Sequence, residues 1–480
     1  MKKAFSYIAI ALALLVLVNC NPERSYILDN DATLTFSSDT VLFDTVFTTV
    51  GTATRVFMAY NPHNRFIKID DINLAGGNQS PFRLNVDGAP GIDFTDYEIA
   101  PGDSMYIFVE ATLDPNNMNN ILRIQDSIVF SVNGNIQDVD LVAWGQDVHM
   151  IKDSILDYST TWVADKPYLI INYLAVDTLQ TLTIEEGVEI YMHRDAFFYV
   201  LGTLQIQGSL DNPVIIQGDR LEPEYQDQPG YGGQWYGIYF APGSMDNIVD
   251  HAVIWNGTIG LQSDSTVTPD RPALIVSNTE INRMSYSGIV GLGSSIEAYN
   301  TVVGDCGNSS VLLLLEGNYS FNHCTLANFW PDWQSKRKRA ALRIENYIYG
   351  VDSSGTVFVA AHRDMEKASF TNSIIYGSRK NEITVSQHPD NEMNYYFDYV
   401  LTRLDREEYD YFADGKFNHI INDKNPSFVS EPESYELDSI SPAINAGKLD
   451  YAINFPYSID KNGNSRLSDG VPDLGAFERK

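Results

Sequence analysis

The feature that most restricts the fold of this chain is a recurrence of about 22 residues. Ile184 and Ile206 stand 22 apart, as do Ile216 and Ile238, and Asn278, Asn300 and Asn322 fall 22 apart twice running. A period in this range means stacked repeats: one coil cannot bury its own apolar row, whereas neighbouring coils make that row continuous. Aligned on the asparagines, Ile281, Val303 and Thr325 share one position, and Ile289 and Val311 another. Asn372 restarts the pattern with Ile375 and Ile383, and the gap of 50 from Asn322 reads as two periods plus a six-residue loop. The asparagine row reads as amides that stack and satisfy turn backbone groups, with a ligand-binding polar stripe as the alternative.

The chain from Glu185-Glu186-Gly187-Val188 through Gly202-Thr203-Leu204 to Trp235-Tyr236-Gly237-Ile238 resembles the first coils of right-handed parallel β-helices of the pectate-lyase-like superfamily. The resemblance implies a single-stranded helix over residues 178–430. Farther on, Ser441-Pro442-Ala443-Ile444-Asn445-Ala446-Gly447, then Asp460 to Arg466, then Asp473 to Glu478, resemble the terminal segment that closes β-helices in secreted and surface proteins. Residues 431–480 are therefore expected to cap the open end, a role solenoids require. Asp460, Asn462 and Asn464 do not make an EF-hand, because Gly463 is at position four and Val471 at twelve.

Ahead of the repeats the texture differs. Short alternating strands such as Met105 to Val109 and Ser127 to Phe130 are punctuated by Asn61-Pro62, Ala100-Pro101-Gly102-Asp103 and Asn133-Gly134. About seven strands in this length predict an antiparallel β-sandwich over 33–148, with a connector at 149–177. The order of features, closing on Trp144-Gly145-Gln146-Asp147, resembles the Ig-like modules that precede β-helices in Bacteroidota lipoproteins. The fold class is thus all-β: an Ig-like sandwich, a right-handed parallel β-helix and a C-terminal cap.

Lys2 and Lys3 precede an apolar run from Ile8 to Val18, too short for a transmembrane helix of about 20 residues. It reads as a signal peptide over 1–19. Leu17-Val18-Asn19-Cys20 resembles a lipobox, with Asn19 where Gly, Ala or Ser is usual, which makes Cys20 the expected lipidation site and 20–32 a lipidated linker. Partners expected on this basis are the lipid bilayer through Cys20 and a glycan or envelope protein; the leaflet stays open. With 63 acidic against 32 basic residues and a net charge of -31, nucleic acid is excluded as a partner. Cys306 and Cys324 lie about four residues out of register on neighbouring coils, too far for a disulfide, and are expected as buried thiols.

Chemistry is sparse at this level. Asp250, His251, Glu280, Arg283, Asp305 and His323 fall in the helix, but no paired-aspartate or lyase-type arginine strand appears, and Asp305 with Arg283 reads as a surface ion pair between coils. His323 and Cys324, adjacent on a strand, point to opposite faces. The eight histidines are scattered, so neither a metal site nor a cofactor is expected. Two features suit binding: the aromatic residues Tyr231, Trp235 and Tyr236 with Trp330 and Trp333 as sugar- or protein-facing platforms, and Lys336, Arg337, Lys338 and Arg339 as a basic dock in a loop. Asp followed by Ser or Thr marks Thr40, Thr45, Ser104, Ser127, Ser154, Thr178, Ser265 and Ser439, resembling O-glycosylation sequons of exported Bacteroidota proteins; turn-to-strand starts are the plain alternative. The function expected is a lipid-anchored envelope protein, on the outer membrane, that binds or assembles; a polysaccharide lyase or glycoside hydrolase is the alternative.

Overall fold

The computed structural model describes residues 24–30, 32–47, 54–113, 122–221, 231–268, 270–331, 336–405, 415–430 and 434–480, without side chains at 44–46. The chain divides into two compact units, Met1–Asp147 and Val148–Lys480. The signal segment and Cys20 lie outside the described residues.

In the first unit, alternating burial along strands such as Ser104–Ala111 and Ile67–Leu74 produces two five-stranded sheets that share one core including Phe57, Ile69, Phe82, Ile107 and Phe130. Among the described strands pairing is antiparallel except where Asn135–Gln146 runs parallel to Thr40–Phe47, and an isolated parallel bridge joins Tyr26 to Phe66.

The second unit is a parallel β-helix, a 23-stranded sheet wound on itself. Stacking begins earlier than the spacing indicates: His149–Leu156 pairs in parallel with Tyr168–Val176, so the segment read as a connector is itself the first coil. The 22-residue repeat is not visible there because the inward row is carried by Leu156, Trp162, Tyr168 and Ile170 rather than by recurring Asn and Ile. Inside the helix Ile184, Ile206, Val249, Val276 and Ala298 follow one another up the stack, each fully or nearly fully buried.

Register corrects the asparagine row. Tyr299 pairs with Asn322, so the residue above Asn300 is His323 and not Asn322. The corner column runs His251, Asn278, Asn300, His323, Asn372, Tyr399 and His419, all with φ between 43° and 56°. This is the left-handed region, which Asn and His tolerate better than most residues. One extra residue in the coil before Asn322 displaces the column, where Leu292 and Leu314 pair but Ser294 meets Gly317. Asn322 also pairs onward with Asn372's neighbour Thr371, so the 50-residue gap is one coil carrying an inserted hairpin, Tyr347–Val351 with Val357–His362, rather than two coils.

The C-terminal segment corrects the expectation of an end cap: its contacts run along the flank of the helix. Leu474, Ala476 and Phe477, with Tyr435 and Leu437, pack on the outward-facing Val302, Ala327, Ile374 and Leu401. The corner column reads the segment's backbone, Asn300 Nδ2 donating to Ile459 O at 2.8 Å and Asn372 Nδ2 to Lys448 O at 2.9 Å, while Asn300 Nδ2 also donates to Asn278 Oδ1 at 3.1 Å. The stacked amides thus fasten a strap as well as a turn. Cys306 and Cys324 are buried free thiols, Cys324 in the core and His323 beneath the strap.

Candidate functional site

The strands Phe197–Val200, Gly237–Phe240, Ile259–Thr266, Ser287–Tyr299, Ser309–Asn322, Leu342–Glu345 and Ile383–Ser386 stack in parallel. At about 4.8 Å per strand they form a face roughly 30 Å long. Their inward side chains, Phe198, Ile238, Leu261, Ile289, Val311 and Ile344 among them, belong to the core. The alternate residues face outward in register: Tyr199, Tyr239, Gln262, Val290, Leu312, Arg343 and Thr384 make one row. Asp264, Leu292, Leu314, Glu345 and Ser386 make the next.

One end of this face is an aromatic shelf. Phe197 and Tyr199 stack at 4.4 Å between centroids with planes 8° apart, and Phe197 and Tyr236 at 5.1 Å and 28°. Tyr239 meets Tyr199 edge-on at 6.2 Å. Gly237, opposite Phe197, has no side chain to cover the ring, and a Cβ there would meet Ile259 O at 2.2 Å. Tyr236 is 47% exposed. Beside the shelf, Gln262 Nε2 donates to Asp264 Oδ1 and Oδ2 at 3.0 and 3.2 Å. Burial raises the Asp264 carboxyl above its ordinary range, with the bonds from Gln262 and Tyr239 pulling it back, and burial next to Asp264 pushes Tyr239 up to about 12. At the other end, Arg343 Nη2 pairs with Glu345 Oε1 at 2.5 Å.

The carboxylates of this face bear on hydrolysis. Asp264 and Glu345 are three strands apart, about 14 Å, beyond the roughly 5–9.5 Å that glycoside hydrolysis uses. Glu316 is nearer: the point where a Gly293 Cβ would sit is 3.7 Å from Glu316 Oε1 and 3.9 Å from Ser265 Cα, next to Asp264 in the chain.

Of the expected aromatic platform, only Tyr236 joins this shelf as an exposed ring. Trp235, two residues ahead of Gly237–Phe240, is 1% exposed and packed in the core with Nε1 donating to Trp255 O at 2.9 Å, and Trp330, two residues beyond Thr325–Asn328, is also buried. Tyr231 is half-buried, and Trp333 lies outside the described residues. Phe197 and Tyr199 lie outside the expected platform, yet as two aromatics at i and i+2 of one strand they must share a face.

The basic run is split by burial. Lys336, Lys338 and Arg339 are exposed, but the Arg337 side chain is 1% exposed and pairs with a fully buried Glu382, Nη2 to Oε1 at 2.6 Å and Nη1 to Oε2 at 2.8 Å. Arg337 also donates to Asn328 O and Arg339 O, so it is an internal clamp and not part of a dock. Asp305, expected in a surface ion pair, is 1% exposed and accepts from Phe329 N at 2.8 Å, while Arg283 lies over Trp255 at 5.1 Å. Among the acceptors marked by Asp-Ser/Thr, Thr178, Ser265 and Ser439 are exposed, Thr40, Ser104, Ser127 and Ser154 are partly covered, and the Thr45 side chain lies outside the description. Asp103, Asp126 and Asp177 each accept from the following backbone N–H at 2.7–2.8 Å, the geometry of a turn before a strand.

No family model and no curated protein matches the chain. Solved structures similar to it include the catalytic unit of a thermostable family 87 α-1,3-glucanase from Streptomyces thermodiastaticus, at TM-score 0.24 and 10% identity over 80% of this chain and 91% of that one. A family 123 glycoside hydrolase from Clostridium perfringens, described for glycolipid glycan hydrolysis, is similar at 0.18 and 7% over 25% of this chain, which spans about a third of its length (30%). The PapD-like domain 7 of human CEP192 is similar at 0.18 and 6%, over 25% of this chain and 89% of that domain. At these scores the likenesses carry no argument about activity. The all-β character and the large parallel β-helix are read from the strand pairing itself.

Proposed function

We propose that the outward face of the β-helix binds a carbohydrate, with Phe197, Tyr199, Tyr236 and Tyr239 as the stacking shelf and Asp264 and Gln262 as hydrogen-bonding partners for sugar hydroxyls. The observation that carries this reading is the ring cluster on the strand surface in which half-buried Phe197 stacks on both half-buried Tyr199 and exposed Tyr236. The net charge of -31 favours a neutral glycan over a polyuronate. Binding to a panel of neutral and acidic glycans, by calorimetry on wild type, Tyr236→Ala and Tyr199→Ala, tests it. Loss of about 0.5–1.5 kcal/mol per ring supports the reading; no binding, or binding unchanged in both variants, overturns it.

A second reading, hydrolysis of the same glycan, is favoured by Asp264, whose raised pKa suits a proton donor, with Glu316 Oε1 and Ser265 Cα both within 3.9 Å of where a Gly293 Cβ would sit. Release of reducing ends, lost in Asp264→Asn, distinguishes it from binding alone. The lipid-anchored envelope address at Cys20 belongs to the proposal too and rests on the sequence; no helix among the described residues is long and apolar enough to cross a membrane.

A further inference from the structure

The inserted hairpin brings together side chains that are far apart in sequence. His362 ends its second strand, and His388 and Asp390 lie in the loop that follows Ile383–Ser386. One ligand atom from each of the three lies within 4.8 Å of the others. The imidazoles stack at 3.9 Å with planes 10° apart. His362 Nδ1 is hydrogen-bonded to the side-chain oxygen of Asn391, which leaves its Nε2 lone pair free. His388 Nδ1 accepts from Asp390 N at 3.3 Å, and Asp390 Oδ2 is 3.9 Å from it.

The surroundings hold these groups in place. His388 N donates to Asn346 Oδ1 at 2.6 Å, Asn346 Nδ2 to Glu392 O at 3.4 Å, and Asn391 Nδ2 to Asp364 Oδ1 at 2.7 Å. The Asn391 bond to His362 is the kind of outer contact that sets the tautomer and ring orientation of a metal-bound histidine.

The geometry points to a site for a divalent first-row transition ion, of the zinc or cobalt class, ligated by His362 Nε2, His388 Nδ1 and an Asp390 carboxylate oxygen. Two imidazoles and one carboxylate are a donor set for such ions rather than for calcium or magnesium, which take oxygen ligands. Ligand atoms around a tetrahedral zinc with bonds of about 2.0–2.2 Å stand roughly 3.3 Å apart. The site therefore contracts by up to about 1.5 Å on binding: His388 turns out of its parallel stack on His362 so that both in-plane lone pairs meet at the ion, and Asp390, whose side chain is 77% exposed, closes from the solvent side. The ion takes the His388 lone pair in place of the 3.3 Å bond and ties the base of the hairpin to the last coils.

The test is titration of the full chain with Co2+ in excess Mg2+, which occupies the general acidic surface. Visible d–d absorption is followed, then its displacement by Zn2+. One equivalent of Co2+ is expected, with His362→Ala and His388→Ala each weakening it at least about tenfold while circular dichroism is unchanged. Asp390→Asn, at an exposed position, provides the same reading should either histidine variant unfold. Absence of d–d bands in wild type, or affinity unaltered in the folded variants, overturns the assignment.

Discussion

Arg466 Nη2 donates to Asn300 Oδ1 at 3.0 Å, joining the C-terminal strap to a corner of the helix 166 residues away. Arg466 is fully buried, and Asp460, Asp473 and Glu478 around it are nearly so. Burial pushes the Glu478 carboxyl up to about 8 even with Arg466 Nη1 3.4 Å away. The strap's polar interior therefore depends on one cation.

Arg466→Met leaves those acids without their counter-charge and is expected to cost about 3–5 kcal/mol. The strap releases before the coils unfold, so limited proteolysis cleaves within 438–480 first. Gly475→Ala acts at the same seam at a smaller cost of about 1–3 kcal/mol. Gly475 has φ 92°, and a Cβ would stand 2.6 Å from Thr325 Oγ1, whose neighbouring bond from Ala476 N holds the strap.

The Arg337 and Glu382 clamp separates two variants that look alike in the sequence. Arg337→Gln strands a buried carboxylate and is expected to lower stability by about 3–5 kcal/mol. The triple change of Lys336, Lys338 and Arg339 to Gln is expected to stay within about 0.5 kcal/mol. Urea midpoints measured side by side check both.

Asp305 gives a signed dependence on pH. Burial raises its carboxyl from 3.8 to about 6 in the folded chain. The folded state thus holds this proton more tightly than the unfolded chain, and the stabilisation is complete below about 4 and lost as pH rises through 6. The shift corresponds to about 3 kcal/mol. Asp305→Asn keeps an oxygen acceptor for Phe329 N and does not titrate, so its stability relative to wild type should rise between pH 4 and 7. Paired denaturation curves across that range measure the difference.

Cys20→Ala is expected to move the protein from the membrane fraction to the soluble one, even after a high-salt wash of wild type leaves it membrane-bound. Recovery of the variant in washed membranes would count against the anchor.

Periodicity alone determined that the chain is a stack of repeats: inward positions such as Ile184, Ile206 and Ile281 recur because every coil must contribute to one continuous core. Alternation likewise disclosed the strands of the first unit. Sequence spacing did not disclose the register, since one added residue before Asn322 exchanges it for His323 in the corner column. It did not reveal that Arg337 is buried while Lys336 and Lys338 are exposed, because burial there follows from where Glu382, 45 residues on, returns to the same coil edge. The same holds for His362 and His388, 26 residues apart, and for Tyr199 beside Tyr239. Local pattern decides which face of a strand is apolar. Which polar and aromatic groups meet on the other face depends on the length of every insertion between coils, and only the folded stack adds those lengths together.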